Sequence, residues 1–303
     1  MNRAMAVLAA GWLALPALAS TFVDDAGQRI ELSAPARRVV ALAPNLVELV
    51  FDAGGGDSLV GTVAFSDFPA AARAIPRIGD YQRLDVERIL SLKPDLVLAW
   101  QHGNGNREIA QLEALGLRIF QIEPKRLDDV PRAIEQVAAL LGHEAQGRQR
   151  AQRLRQELSA LRARHADAPP VRVFYQVWGQ PLMTLNREHI ISDVITLCGG
   201  RNVFAGLPTL VPEVSTEAVV AADPEVMLSA REMADGLPDL QRDARAAPWL
   251  PWGRHVSMTA VRRGWLYTVA GDLISRQGPR IAQGAKAVCA ALDEVRKERA
   301  GAR

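Results

Sequence analysis

The chain has 303 residues, which at about 150 residues per domain favours two domains. Its composition, 49% hydrophobic and 23% charged residues, is typical of a globular protein and excludes disordered and fibrous classes. Lysine and arginine number 36 against 34 aspartate and glutamate, so the net charge of +2 gives no electrostatic footprint for a nucleic acid.

Residues 1–19 predict a secretory signal peptide. One positive charge at Arg3 precedes the apolar run 4–18, and residues 17–19 form the small-x-small pattern that signal peptidase reads. The alternative, a transmembrane anchor, needs roughly 18 or more apolar residues, and polar chain resumes at Ser20. We therefore expect cleavage near Ala19 and export, without a lipid anchor because no cysteine lies near that position.

Residues 20–142 alternate short apolar strands with amphipathic helices, which predicts an N-terminal lobe with a parallel α/β sheet. The strands are predicted at 38–42, 59–63, 96–100 and 117–121, and the helices at 46–51, 85–92, 107–115 and 127–141.

The stretch 143–166 continues the helical pattern with only a thin apolar stripe. Its members are Ala151, Leu154, Leu158 and Leu161. A narrow stripe indicates a helix that packs on one face and is solvated elsewhere. We interpret 143–166 as a long helix connecting two lobes; a surface helix of the first lobe is the alternative.

Residues 167–303 restart the α/β pattern, with a strand at 171–175 and a helix at 189–197. A short internal repeat links the two halves, because Glu87 precedes Pro94 and Glu217 precedes Pro224 by the same seven residues. We therefore predict two Rossmann-like lobes, parallel sheets flanked by helices, joined by one long α-helix, with a ligand cleft between them.

Cys198 and Cys289 are the two cysteines of the chain, and no C-x-x-C motif is present. In an exported protein such a pair predicts one structural disulfide, with two free buried thiols as the alternative. Enzyme signatures such as G-x-S-x-G, H-E-x-x-H and the P-loop are absent, and the five histidines share no metal-binding spacing. We expect a binding protein with no metal and no cofactor; a secreted hydrolase is the alternative class.

Several aromatic residues occur where predicted strands give way to loops: Phe65, Phe68, Tyr81 and Trp100. Ligands of open parallel sheets bind beyond the carboxyl ends of strands, so these rings favour a large apolar ligand or, alternatively, core packing. In the second half Trp178, Met183 and the loop 271–276 hold comparable positions. Asp272 and Arg276 are expected either to hydrogen-bond a ligand or to pair with each other.

Glu87 and Glu217 follow good helix caps, Asp85 and Ser215, and so fall in the first turn of their predicted helices. Two readings are open for them. One is stabilisation of the helix dipole, worth about 0.3–1 kcal/mol each. The other is a two-point docking surface for basic residues of a partner.

The runs Ser66-Asp67-Phe68-Pro69 and Asp85 to Trp100, with Cys198-Gly199-Gly200 and Ser275-Arg276 in the second half, resemble the periplasmic cobalamin-binding proteins of ABC-type importers. The resemblance covers nearly the whole chain after the signal peptide. It implies a periplasmic protein, expected to be a monomer, that carries cobalamin or a related corrinoid to a membrane permease. It implies a disulfide between Cys198 and Cys289 and permease docking through Glu87 and Glu217.

The resemblance also implies a set of ligand contacts. These are Phe65, Tyr81, Trp100, Met183, Val211, Asp272, Leu273, Ile274, Ser275 and Arg276. The chain departs from the family pattern at several of them, since Phe65 lacks a tyrosine hydroxyl and Met183 and Val211 stand where the family has aromatic residues. A haem or ferric-siderophore carrier of the same fold is the alternative, with Tyr81 or His102 as the axial ligand that haem needs.

Overall fold

A computed structural model describes residues 20–80, 83–101, 103–231 and 238–301. The predicted signal peptide lies outside these residues, as do Tyr81 and His102. Each helix in the described part of the chain is too short or too polar to span a bilayer.

The strands are β1 Ser20–Val23, β2 Arg29–Leu32, β3 Val39–Ala41, β4 Leu59–Thr62, β5 Leu96–Trp100, β6 Ile119–Ile122, β7 Val171–Gln176, β8 Trp178–Gly179, β9 Leu182–Met183, β10 Gly200–Asn202, β11 Val226–Arg231, β12 Leu240–Arg242 and β13 Leu266–Ala270. The α-helices are α1 Pro44–Asp52, α2 Val86–Ser91, α3 Asn106–Ala114, α4 Asp129–Leu141, α5 Glu144–Arg164, α6 Ile190–Leu197, α7 Thr216–Ala222, α8 Thr259–Arg263, α9 Gly271–Ile274 and α10 Ile281–Gly301.

The first lobe contains a parallel sheet with strand order β4-β3-β5-β6. The central strand β3 is buried along its whole length and pairs with β4 on one side and β5 on the other. Strands covered by helices on both faces read as continuous apolar runs, which explains why all four predicted strands of this half are present. The four predicted helices are present as α1, α2, α3 and α4.

The second lobe contains a five-stranded sheet with the order β10-β7-β11-β13-β12. All neighbouring pairs are parallel except β12, which runs antiparallel to β13 at the edge. An antiparallel edge strand is common on an otherwise parallel sheet. The predicted fold class, two α/β lobes with parallel sheets flanked by helices, is confirmed.

Helix α5 stands in the sequence between the strands of the two sheets and packs on α4 and α10. Its buried residues Ala151, Leu154 and Leu158 belong to the predicted stripe. Leu154 and Leu158 lie in one hydrophobic core that contains residues of both lobes, such as Leu98 and Tyr175. Helix α5 therefore packs against α4 of the first half and α10 of the second, while its role as the connection between two lobes stays a prediction.

Candidate functional site

The candidate site lies at the carboxyl ends of the parallel strands. In the first lobe, Phe65 follows β4 and Trp100 is the last residue of β5. In the second lobe, Trp178 follows β7 by two residues, and Asp272 follows β13 by two residues. Each lobe thus brings predicted contact residues to the sheet edge where ligands of open α/β sheets bind.

A buried carboxylate on α1 joins the two lobes. Glu48 is 3% exposed and accepts two hydrogen bonds from the guanidinium of Arg280, at 2.9 Å from Nε to Oε2 and 2.6 Å from Nη2 to Oε1. Arg276 Nη1 lies 3.2 Å from Oε1 of the same residue. Because a buried charge is tolerated only when paired and hydrogen-bonded, this arrangement accounts for a glutamate among the buried residues of α1.

Arg276 is also bound by groups around the predicted cleft. Its guanidinium lies 3.1 Å from Asp272 and 3.3 Å from Asp67, and it donates to the Phe65 carbonyl at 3.0 Å. The sequence left open whether Asp272 and Arg276 bind a ligand or pair with each other, and here they pair. With Glu48, three carboxylates face the guanidinium groups of Arg276 and Arg280.

The Phe65 ring is held out from the first lobe. Its side chain is 69% exposed and its backbone has φ of 63°, a left-handed conformation that costs a residue with a side chain about 1–3 kcal/mol. Buried hydrogen bonds hold the turn that contains Phe65, since the Thr62 hydroxyl donates to the hydroxyl of buried Ser66 at 2.8 Å. The Ser66 carbonyl accepts from Arg77 at 2.8 Å.

Trp100 is half-buried and packs against a tight turn. A side chain at Gly103 would overlap its indole ring, so this position has room only for glycine unless the ring moves. Asn104 secures the turn by accepting from the Trp100 N–H at 2.7 Å and donating to the Leu42 carbonyl at 2.9 Å. The buried indole Nε1 has no hydrogen-bond partner among the described residues.

The remaining predicted contacts divide into accessible and buried side chains. Met183 and Val211 are half-buried and Ser275 is exposed. Leu273 and Ile274 are only 2% and 0% exposed, because the chain turns directly from β13 into α9 and points both side chains into the protein. Leu273 and Ile274 therefore offer almost no surface to a ligand, which corrects their expected role as contacts.

A cavity of about 230 Å³ lies between the lobes near these strand ends. Its lining combines charged, polar and apolar side chains of both lobes: Glu123 and Lys125 from the first, and Glu188, His189, Ile190, Leu210 and Gln277 from the second. Burial lowers the pKa of His189 to about 4, because desolvation disfavours the imidazolium form. The neutral ring accepts a hydrogen bond from the Ile191 N–H at 3.2 Å and so caps α6.

A larger cavity of about 390 Å³ lies beside the connecting helix. It is lined by side chains such as Phe68, Arg150, Arg153 and Arg280, and Arg280 stacks over the Phe68 ring at 4.0 Å from its centroid. Neither cavity is lined by any of the ten contact residues that the resemblance implies, so cavity volume does not identify the site.

The two glutamates of the internal repeat, Glu87 and Glu217, lie at equivalent positions in the two halves. Glu87 lies in the first turn of α2 and Glu217 in that of α7, and both side chains are exposed. The caps are present as predicted, with Asp85 accepting from the Arg88 N–H and Ser215 from the Ala218 N–H. The pKa of Glu217 is lowered, first by its own backbone N–H and then by the Ser215 hydroxyl, so this carboxylate is charged at neutral pH.

The predicted disulfide is confirmed. Cys198 at the end of α6 is bonded to Cys289 on α10, with the two Cα atoms 4.8 Å apart. The roles of Glu48, Asp67 and Arg280 were not predicted from the sequence. A signal for Glu48 was available, because a charged residue interrupts the apolar run 46–50.

Comparisons with known proteins agree with one another. A family model described as periplasmic binding protein matches residues 39–247. A vitamin B12-binding protein of Yersinia pestis is 36% identical over 295 residues, which cover 97% of this chain and 94% of the relative.

Among solved structures, the periplasmic vitamin B12 binding protein BtuF of Vibrio cholerae superimposes with a TM-score of 0.76 and 34% identity, covering 87% of this chain and 99% of that one. The periplasmic haem-binding protein RhuT from Roseiflexus sp. RS-1 gives a TM-score of 0.71 at 24% identity, covering 86% and 99%. The second similarity shows the fold alone.

Proposed function

Because the chain belongs to the periplasmic binding protein family, we propose that it captures cobalamin or a related corrinoid in the periplasm and delivers it to an ABC importer. The observation that carries this proposal is the similarity to vitamin B12-binding proteins, which extends over 97% of the chain at 36% identity. The protein acts by binding alone, and ATP hydrolysis belongs to other subunits. A signal peptide ending near Ala19 would direct the export.

The surface of the cleft supports a neutral, flat ligand. Phe65 offers an exposed ring, and Trp100, Met183 and Val211 add partly exposed apolar surface. Such walls with a few polar groups are typical of small-molecule sites. Ser275 and the carboxylate of Asp67, which is 51% exposed, are placed to accept hydrogen bonds from the amide groups that fringe a corrin.

The charges at the cleft argue against anionic ligands. Haem propionates and ferric siderophores require cations that are not already paired, whereas Arg276 and Arg280 face the three carboxylates of Glu48, Asp67 and Asp272. The charges of these two arginines and three carboxylates sum to −1, and Lys125 shares the cavity between the lobes with Glu123 and Glu188. An anion entering here would have to compete with carboxylates that are already in place.

A titration tests the ligand assignment. Purified protein lacking residues 1–19 is titrated with cyanocobalamin while tryptophan fluorescence and heat are followed, with haemin and a ferric hydroxamate siderophore in parallel. We expect saturable one-to-one binding of cyanocobalamin at micromolar or lower concentration, and none of the other two. No response to cyanocobalamin together with a Soret shift of haemin would replace the corrinoid by haem.

We propose further that Glu87 and Glu217 dock the protein on arginines of the permease, one from each lobe. The double variant Glu87→Ala/Glu217→Ala should lose binding to a detergent-solubilised cobalamin importer in surface plasmon resonance, and it should keep its affinity for cyanocobalamin. Glu144→Ala is the matched control, because Glu144 is also exposed in the first turn of a helix, α5. Docking that survives in the double variant contradicts this assignment.

A further inference from the structure

Trp178 differs from the other tryptophans that the structure describes. Its side chain is 62% exposed, whereas Trp249, Trp252 and Trp265 are 0–3% exposed and Trp100 is half-buried. Burying a large side chain contributes to folding stability, so a tryptophan held in solvent forgoes that contribution. Tryptophan is enriched at binding surfaces, which makes an exposed indole a candidate ligand contact.

Trp178 lies at the edge of the second sheet where we place the cleft. It begins β8 directly after β7 ends at Gln176, on the carboxyl edge of the second sheet. In the antiparallel pair β8–β9 it lies opposite Met183, so both side chains are on the same face of the hairpin. Met183 is one of the contacts that the sequence predicts.

The indole ring is fixed by its own hairpin. Its Nε1 donates to the Gln180 carbonyl at 2.8 Å, inside the turn that connects β8 to β9. The one polar group of the ring is therefore satisfied within the protein, and the ring offers a flat apolar face. Leu210, which lines the cavity between the lobes, adds a further 43% exposed side chain on this lobe.

Phe65 and Trp178 are the most exposed of the large aromatic side chains that the structure describes, at 69% and 62%. One belongs to each lobe, and each follows a parallel strand by two or three residues. The second lobe has Met183 and Val211 where aromatic residues were expected from the family pattern, and it buries Leu273. The exposed ring of Trp178 supplies the aromatic surface that those positions of the second lobe lack.

We propose that Trp178 is the aromatic contact of the second lobe and stacks on the flat macrocycle of the ligand, opposite Phe65. This inference rests on the proposed function, since it concerns the same cleft. It assigns a specificity-determining role to a residue that the family pattern does not supply. Trp178→Ala removes both the stacking interaction of the ring and its contact area. We therefore expect this variant to bind cyanocobalamin about 10-fold more weakly.

The test combines affinity with chemical protection. Cyanocobalamin is titrated calorimetrically into the wild type, Trp178→Ala, Trp178→Phe and Leu115→Ala, the last being a control with a 48% exposed apolar side chain at the end of α3. Trp178→Ala should lose about 10-fold in affinity, Trp178→Phe should recover most of it, and Leu115→Ala should match the wild type. Melting temperatures of all four should agree, since the altered side chains are exposed.

Oxidation by N-bromosuccinimide, located by peptide mass spectrometry, adds an independent readout. Trp178 should be oxidised in the free protein and protected by saturating cyanocobalamin. The inference is overturned if Trp178→Ala binds cyanocobalamin as tightly as the wild type and if Trp178 is not protected in the wild-type complex. The proposed function would still stand. Failure of the wild type itself to bind cyanocobalamin refutes the proposed function instead.

Discussion

The variant Glu48→Gln tests whether the carboxylate that joins the lobes stabilises them. Glutamine keeps the size of the side chain and removes its charge, which leaves the guanidinium of Arg280, only 9% exposed, without its bidentate partner. The nearest remaining carboxylate oxygen, on Asp272, is 3.7 Å away. Removing one member of a buried ion pair costs about 3–5 kcal/mol, and because this second carboxylate persists we expect about 3 kcal/mol.

Urea unfolding followed by circular dichroism measures the loss of unfolding free energy in Glu48→Gln. For a chain of this size, that loss corresponds to a fall in melting temperature of about 5 °C. Glu157→Gln is the matched control, since Glu157 binds Lys286 at 2.9 Å between side chains that are 48% and 54% exposed. Exposed pairs contribute about 0–1 kcal/mol. An equal, small effect of the two substitutions would refute the assignment of a stabilising role to the buried carboxylate.

Three further predictions concern single features of the fold. Because the pKa of His189 falls to about 4 in the folded protein and is about 6.5 in an unfolded chain, stability should be full above pH 6.5 and drop by about 3 kcal/mol as the pH falls to 4. His189→Asn, which keeps a capping group that does not titrate, should flatten this part of the pH profile in urea unfolding; an unchanged profile contradicts the role of the buried ring. Cys198→Ser/Cys289→Ser should lose about 4–5 kcal/mol of unfolding free energy, since the disulfide closes a separation of 91 residues, and a loss below 1 kcal/mol would contradict that account. Gly103→Ala should displace the indole ring of Trp100, lower the stability of the protein by about 1–3 kcal/mol and weaken cyanocobalamin binding. Gly206→Ala is the control, because open space surrounds Gly206, and it should change neither the melting temperature nor the calorimetric affinity.

Local pattern was sufficient for most of the strands and helices. The apolar run at 96–100 is present as β5 with the predicted bounds, because a strand covered on both faces carries its signal in every residue. The hairpin β8–β9 was not predicted, since two strands of two residues each carry no period to detect. Its position depends on the bridge between Met183 and Glu213, a contact that is remote in sequence.

The candidate site was predictable in its aromatic residues and not in its charges. Rings at strand ends could be placed from the pattern of strands and loops alone, because the carboxyl ends of parallel strands share one edge. The pair between Glu48 and Arg280 spans 232 residues, and no local rule specifies which arginine meets a carboxylate that far away. Leu273 and Ile274 were expected in a loop, whereas the helical turn α9 directs them into the core.

These buried links bear on how the lobes move. One hydrophobic core runs through both lobes, and Glu48 of the first lobe is bound by Arg276 and Arg280 of the second. Opening the lobes widely would separate that carboxylate from its partners and expose apolar surface along α5, at a cost of several kcal/mol. We therefore expect ligand to enter and leave through adjustments of exposed side chains such as Phe65 and Trp178, with little relative motion of the two sheets.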